Sequence, residues 1–246
     1  YWILVSASVR AKMQYKFDFI STLVIQGLMG MYDYFIIAVV LWKFRSVQGW
    51  DIWEIGLLYS VSRIGWGMYR TLGGELDRFE GYILHGDFDS VLLRPWPSLF
   101  VVISRNLELT RAAWILQGIG VGSVSVTYLL ASGKLGWTDI AYLFWASIWT
   151  SGLYAAVGIA TASAAFKIVR IEELQVITEH APDTAVLYPL DIYPTWLRYI
   201  LLTVIPLAVG NYIPVRYILG KGGTWLNLAL PPFAAAAALY VASRLW

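Results

Sequence analysis

Cysteine is absent from the 246 residues, which excludes disulfides and thiolate metal sites and leaves the redox compartment unspecified. Charge is scarce: Asp, Glu, Lys and Arg make up 14% of the chain, against roughly 25% in soluble domains. Histidine occurs twice, at His85 and His180. The two lie far apart and no His-Glu-x-x-His string exists, so no metal ligand is expected. The carboxylates near His85 have no nucleophile with an obvious base beside them, so no catalytic residue is expected either. A phosphate-gripping G-x-x-x-x-G-K-[ST] loop is also missing. The nearest string, Gly220-Lys221-Gly222-Gly223-Thr224, lacks the spacing needed to wrap phosphates. Any work driven by ATP would need another polypeptide to bind it. With a formal net charge of +2, nothing resembles a nucleic-acid footprint.

What is present is grease. Hydrophobic residues reach 59% and mean hydropathy is +0.62, more apolar surface than a soluble core of this length can hide. A bilayer can accept it, because its core is itself apolar. Thirteen Trp and sixteen Tyr suit the interfacial belts of a membrane protein. The apolar runs are long and continuous rather than alternating, which predicts helices, and each crossing needs about 20 residues. Six spans are expected: Phe19–Leu41, Ile52–Leu72, Ala112–Leu130, Ile140–Phe166, Trp196–Leu219 and Trp225–Leu245. The fold class is therefore all-α and polytopic, with residues 1–246 forming a single transmembrane domain. Tyr1 and Trp246 are expected to be internal to a longer natural chain, and Tyr1–Ser8 lacks the basic region of a cleavable signal peptide.

Residues 8–18 precede the first span. Val9, Met13 and Phe17 recur every fourth position among Arg10, Lys12 and Lys16, which reads as an amphipathic interfacial helix or as a plain basic flank. With the amino terminus inside, twelve of the 18 Lys and Arg fall on the inner side and five outside, Lys43 and Arg45 among the five. That bias places the amino terminus in the cytoplasm. Two inner segments follow, one within Gly73–Asn106 and a second at 167–194.

Within the spans, Asp33 lies roughly 13 Å below the outer end of the first helix and Arg63 about 16 Å below the start of the second. Equal depth on antiparallel neighbours predicts an Asp33–Arg63 pair facing the protein interior, or else one of the two snorkelling or facing a partner subunit. Gly118 and Gly122, and the run Gly152, Ala156, Ala160, Ala164, mark faces where helix backbones approach closely. Pro206, Asn211 and Pro214, with Gly222-Gly223 and Pro231-Pro232 beyond, predict a helix break or gate and an outer broken or re-entrant segment over 211–232, or else ordinary proline kinks.

The loop motifs then become informative. Gly86-Asp87-Phe88-Asp89 followed by Leu92-Leu93-Arg94-Pro95 resembles the G-D-x-D-x-x-L-L-R-P signature of a bacterial ATP-binding-cassette permease family of the type-two class. Tyr188-Pro189, Tyr193-Pro194, Trp196-Leu197, Ile205-Pro206, Asn211-Tyr212 and Pro214 resemble its second block. Met13–Phe19 and Gly49-Trp50 match weaker features. The resemblance implies a six-helix permease subunit similar to type-five exporters, in a bacterial inner membrane. It would pair with a second identical or related permease and with two cytoplasmic ATPase subunits holding ATP and Mg, this chain carrying no cofactor. It also implies an elbow helix, here at 8–18, and a loop between the second and third spans that docks on the ATPase, here the segment 77–97. Within it Glu80, His85, Asp87, Asp89, Leu92, Leu93 and Arg94 are expected to couple to the ATPase, or else to serve only locally, as aspartates at helix starts and a stop at Pro95. A gradient-driven secondary transporter would show inverted repeats and acidic relays, which are not visible. A membrane enzyme acting on lipid would need a convergent polar site, which these residues do not assemble. A non-transporting membrane scaffold would neither co-purify with an ATPase subunit nor stimulate its hydrolysis.

Overall fold

A computed structural model describes residues 16–44, 46–168 and 170–246. The elbow expected at 8–18 falls outside the described residues as far as residue 15. The helices that carry the fold are α1 (Lys16–Phe44), α2 (Ile52–Gly73), α3 (Ala112–Ala131), α4 (Trp137–Ile168), α5 (Leu207–Ile218) and α6 (Leu226–Leu245). Among the described residues there is no strand, only an isolated bridge between Val47 and Trp50, closed by a turn in which Gly49 takes φ +79°.

The bundle is organised around α2. Asp51 starts it with a capping box: its Oδ1 accepts from the Trp53 and Glu54 amides at 3.0 and 2.9 Å, while Glu54 Oε2 accepts from the Asp51 amide at 3.0 Å, so orphan amides of the first turn are satisfied. From Glu54 through Gly67 every residue is buried. Helix α3 lies antiparallel to α2, and the contact is close because glycines face it. A Cβ on Gly118 would lie 2.9 Å from the Ile64 side chain and 3.1 Å from the Ser60 carbonyl oxygen. Ser60 Oγ donates to the Gly118 carbonyl at 2.7 Å. Helix α4 packs on another side of α2, where a Cβ on Gly65 would stand 2.8 Å from Thr150. The small-residue faces read from the sequence therefore pack within one chain.

Among the described residues four helices, α1, α3, α4 and α6, are long and apolar enough to cross a membrane, and Thr195–Val204 with Leu207–Ile218 would add a fifth if that bent pair were one span. Six were expected; the two that do not pass on length and composition are α2 and the bent pair. Helix α2 does not qualify by composition, since it carries Glu54, Arg63 and Arg70. Its solvent is protein rather than lipid, and protein can pair those charges.

The expected fifth span, Trp196–Leu219, is broken by 108° between Val204 and Leu207. Residues before proline avoid the helical region, and Ile205 leaves it at φ −120°, ψ 78°, after a π-helical turn at Ile200–Val204. Both ends of this bent pair lie at the Trp50 end of α2. Asp191, just before it, accepts from Trp50 Nε1 at 2.9 Å, and Lys221, just after it, sits 3.0 Å from Glu54. The pair therefore leaves and returns at one end of the bundle, as a re-entrant loop. A helix break does exist, but it lies at Ile205–Pro206, upstream of the 211–232 segment expected. Pro214 and the Pro231-Pro232 pair lie inside continuous α5 and α6.

The 167–194 segment departs most from expectation. It is not a detached loop, for it runs along α2: Glu179 meets Tyr69, Asp183 meets Arg63, and Asp191 meets Trp50. Arg198 is drawn to the same end as Asp191, donating to its carbonyl at 2.6 Å. That moves one basic residue from the inner tally to the outer one.

The Gly118 contact admits no side chain. Gly118→Val should lower the melting temperature of the detergent-purified protein, at a cost of about 1–3 kcal/mol. Gly120→Ala, whose Cβ would meet nothing within 4 Å, should leave melting unchanged or raise it.

Candidate functional site

Three polar levels follow α2 from end to end. At the Trp50 end, Lys134 Nζ lies 2.9 Å from both Asp51 and Glu54, and hydrogen bonds to these two carboxylates raise its pKa above that of an ordinary lysine. Lys221 also reaches Glu54 and stands 4.9 Å from the centre of the Trp50 ring. Trp50 and Tyr212 both donate to Asp191, each at 2.9 Å. The start of α2, the α3–α4 turn, the strip before the re-entrant loop and the loop's return are thus tied at one place.

The middle level holds Arg63, which is 3% exposed. Its Nη1 donates to Asp183 Oδ2 at 3.0 Å, and Tyr154 donates to the other carboxylate oxygen at 2.7 Å. The guanidinium also lies 5.0 Å from the centre of the Trp114 ring, an attractive cation–π placement. Asn211, fully buried, donates to Ser62 Oγ at 2.5 Å and to the Val186 carbonyl at 2.7 Å, so α5 is fastened to both α2 and the strip. The side chain of Asp33, the partner considered for Arg63, lies outside the described residues.

At the Arg70 end the charges form a network. Asp77 accepts from Arg70 at 2.5 Å and from Arg111 at 2.9 Å; Glu108 accepts from Arg78 at 2.5 Å and from Arg111 at 3.1 Å. Tyr82 donates to Glu75 at 2.6 Å, and burial, helped by that bond, pushes its pKa up to about 12. Glu179 lies in a π-helical turn, Val176–His180, and is 2% exposed. Tyr69 donates to it at 3.3 Å, but its cation, Arg70, stands off at 3.7 Å because Asp77 holds it more closely. Burial, reinforced by the neighbouring Asp77 charge, raises the Glu179 pKa to about 7. A polar cavity of 370 Å³ opens beside these levels, with Arg63, Arg70, Arg111, Trp66, Trp114 and His180 in its wall.

Beyond this network the chain projects a ridge. Two short helices, Phe79–Leu84 and Phe88–Leu92, are joined through Gly86 at φ +74°, a left-handed turn that favours glycine. Of the residues expected to couple, His85, Asp87, Asp89, Leu92, Leu93 and Arg94 are exposed, Leu93 by 87%, with Trp96 beside them exposed by 65%. Asp87 makes no capping bond to the helix it precedes. Glu80 faces inward and accepts from the Ile171 amide at 2.8 Å. Beneath the ridge Phe79, Phe88, Phe166 and Trp246 form a ring cluster with centroids 4.6–6.4 Å apart. Of the three residues expected at a break or gate, Pro206 lies at one, while Asn211 and Pro214 are buried within α5.

A sequence model of the ABC-2 family transporter proteins matches residues 28–246. The chain belongs to the ABC-2 transporter family. An ABC-2 protein of this kind is a multi-pass membrane permease subunit of an ATP-binding-cassette transporter, and the family associates in general with ABC ATPase subunits. The motifs from Gly49 onward fall inside the matched range; Met13–Phe19 precede it. No curated protein and no solved structure matches the chain. Among the described residues no group of three acidic or His side chains could hold a metal.

Sequence reasoning missed Asp183, Tyr154, Glu179 and Asp191 in this ABC-2 subunit, because nothing local marks them. The Trp50-end cluster had a signal: Asp51-Ile52-Trp53-Glu54 is the capping-box pattern.

The raised pKa of Glu179 sets a pH dependence. In the folded protein Glu179 holds its proton up to about pH 7, whereas unfolded it releases it near the ordinary value of about 4.3. The folded state binds the extra proton between those values, so this group's contribution to stability falls as pH rises through that window and is then constant. Glu179→Gln should therefore raise the melting temperature at pH 8 relative to wild type, and by clearly less at pH 5.

Proposed function

We propose that this ABC-2 subunit forms, with a second copy or a close relative, the translocation pathway of a bacterial exporter driven by separate ATPase subunits that hold ATP and Mg. The supporting observation is the ridge at 84–97: an exposed apolar group, Leu84, Leu92, Leu93 and Trp96, flanked by Asp87, Asp89 and Arg94. Asp87 is not consumed by capping the helix it precedes, and the ridge's core is packed against the bundle. That is the anatomy of a docking element, an apolar centre with a charged rim.

Three linkages would carry force from the ridge. The ring cluster joins it to the ends of α4 and α6, the Asp77–Arg70–Arg111 network joins it to α2 and α3, and Glu80 joins it to Ile171 at the foot of the strip. Closure of the ATPase pair would push on the ridge and tilt these elements together. At the far end the re-entrant loop, broken at Pro206 and held by Asp191 and Asn211, would act as the gate.

In this reading the Arg70 end faces the cytoplasm. With Arg198 counted outside, eleven basic residues still stand inside against six outside, which keeps the amino terminus cytoplasmic in the inner membrane. The strip from Ala181 to Asp191 would then lie at membrane depth, where irregular backbone is tolerated because protein covers it.

Replacing Asp87, Asp89 and Arg94 together with Ala should reduce both co-purification of the ATPase and its hydrolysis rate. Melting should change little, since exposed substitutions cost within about 0.5 kcal/mol. ATPase recovery and turnover equal to wild type would exclude the ridge as the coupling element.

A further inference from the structure

A cavity lies away from the charged column, between α1, α2 and α3. It measures 570 Å³ and its wall is almost wholly apolar, with Leu23, Leu28, Val121 and Val124 along it. That volume is in the range of small-ligand pockets, about 300–1,000 Å³. From Ala113 to Val124 the α3 wall runs twelve residues, about 16 Å of helix, so the space is a slot lying along the helices.

Two residues of its wall are unexpected. Gly27 and Gly120 sit within helices, where glycine costs about 1 kcal/mol relative to alanine. Unlike Gly118 and Gly122, which let α3 approach α2, neither is required by packing: a Cβ at Gly27 or Gly120 would meet nothing within 4 Å. Their effect is to keep the slot wide. One polar group stands in the wall near the Arg70 end. Gln117 is 8% exposed and bonds Tyr59 through one end of its amide, while Oε1 has no hydrogen-bond partner. A buried amide oxygen without a partner is costly. The terminal torsion of glutamine is broad, so the amide can turn to a hydroxyl arriving in the slot, and a hydroxyl serves either end of it.

From these features we infer that the α1–α3 slot binds a single hydrocarbon chain of a hydroxyl-bearing lipid, with the hydroxyl at Gln117 and the chain running toward Val124. In the proposed orientation this is a lipid of the inner leaflet. A helix of a second copy fits the space poorly, because a helix about 10 Å across fills roughly 400 Å³ in each turn. The site is independent of ATP, so its test and the test of the ridge fail separately.

The probe is a monoacylglycerol with a photoactivatable diazirine in its chain, compared with the same molecule capped as methyl ethers at both hydroxyls. The permease, with whatever subunits co-purify, is placed in phosphatidylcholine nanodiscs, irradiated and mapped by peptide mass spectrometry. Label is expected on the α1 and α3 segments lining the slot, about fivefold weaker for the capped probe, the scale of one hydrogen bond. Gly27→Leu or Gly120→Leu should remove that label without lowering the melting temperature, and Gln117→Leu should take both probes equally. Label persisting in a Leu variant that melts like wild type, or equal labelling of wild type by both probes, would overturn the site. So would disulfide-linked dimers of Gly120→Cys, whose thiol would be the chain's only one, because they would place a second copy over the slot. Should both Leu variants melt early, the Gln117→Leu comparison decides.

Discussion

Burying the charges of α2 is the constraint on which the rest of the structure depends. Glu54, Arg63 and Arg70 must pass through an apolar bundle, and a charge left without compensation there is expensive. Each is answered by a different part of the chain: Glu54 by Lys134 and Lys221, Arg63 by Asp183, Arg70 by Asp77 and Glu179. Those pairings place the α3–α4 turn, the 170–194 strip and the return of the re-entrant loop against one helix. The other helices can then be nearly pure hydrocarbon.

The same arrangement makes α2 a shared member of both ends of the molecule. Its Arg70 end belongs to the network under the exposed ridge, and its Trp50 end is tied through Asp191 to the loop broken at Pro206. A tilt of α2 relative to α4 would strain both at once. Glu179 is the least well compensated member of the column, since Asp77 takes the closer place at Arg70. It is also the acid whose proton is held near neutrality. The π-helical turn that presents it is a local departure of the kind found at functional positions.

The two glycine sets on α3 show one residue type used in opposite ways. Gly118 and Gly122 vanish into contact with Ile64 and Ser60, drawing backbones together. At Gly120, on another face of the same helix, an added Cβ would meet nothing within 4 Å, so the missing side chain keeps the slot wide. Spacing alone does not separate these uses, because both look like small residues in an apolar run.

Much of the fold was legible in the amino-acid order: the helices at 16–44, 112–131, 137–168 and 226–245, the break at Pro206 and the exposed Asp87–Arg94 ridge. These follow from composition and from the local chemistry of glycine and proline, which act within a few residues. Tertiary structure alone decided the course of 167–194. It reads as a polar loop, yet Asp183 lies 120 positions from the Arg63 it neutralises. Whether a carboxylate faces water or a buried guanidinium depends on which distant helix stands beside it. That also explains why α2 is too polar for lipid yet stays buried, and why the stretch from Trp196 to Leu219, long enough to cross a membrane, turns back instead.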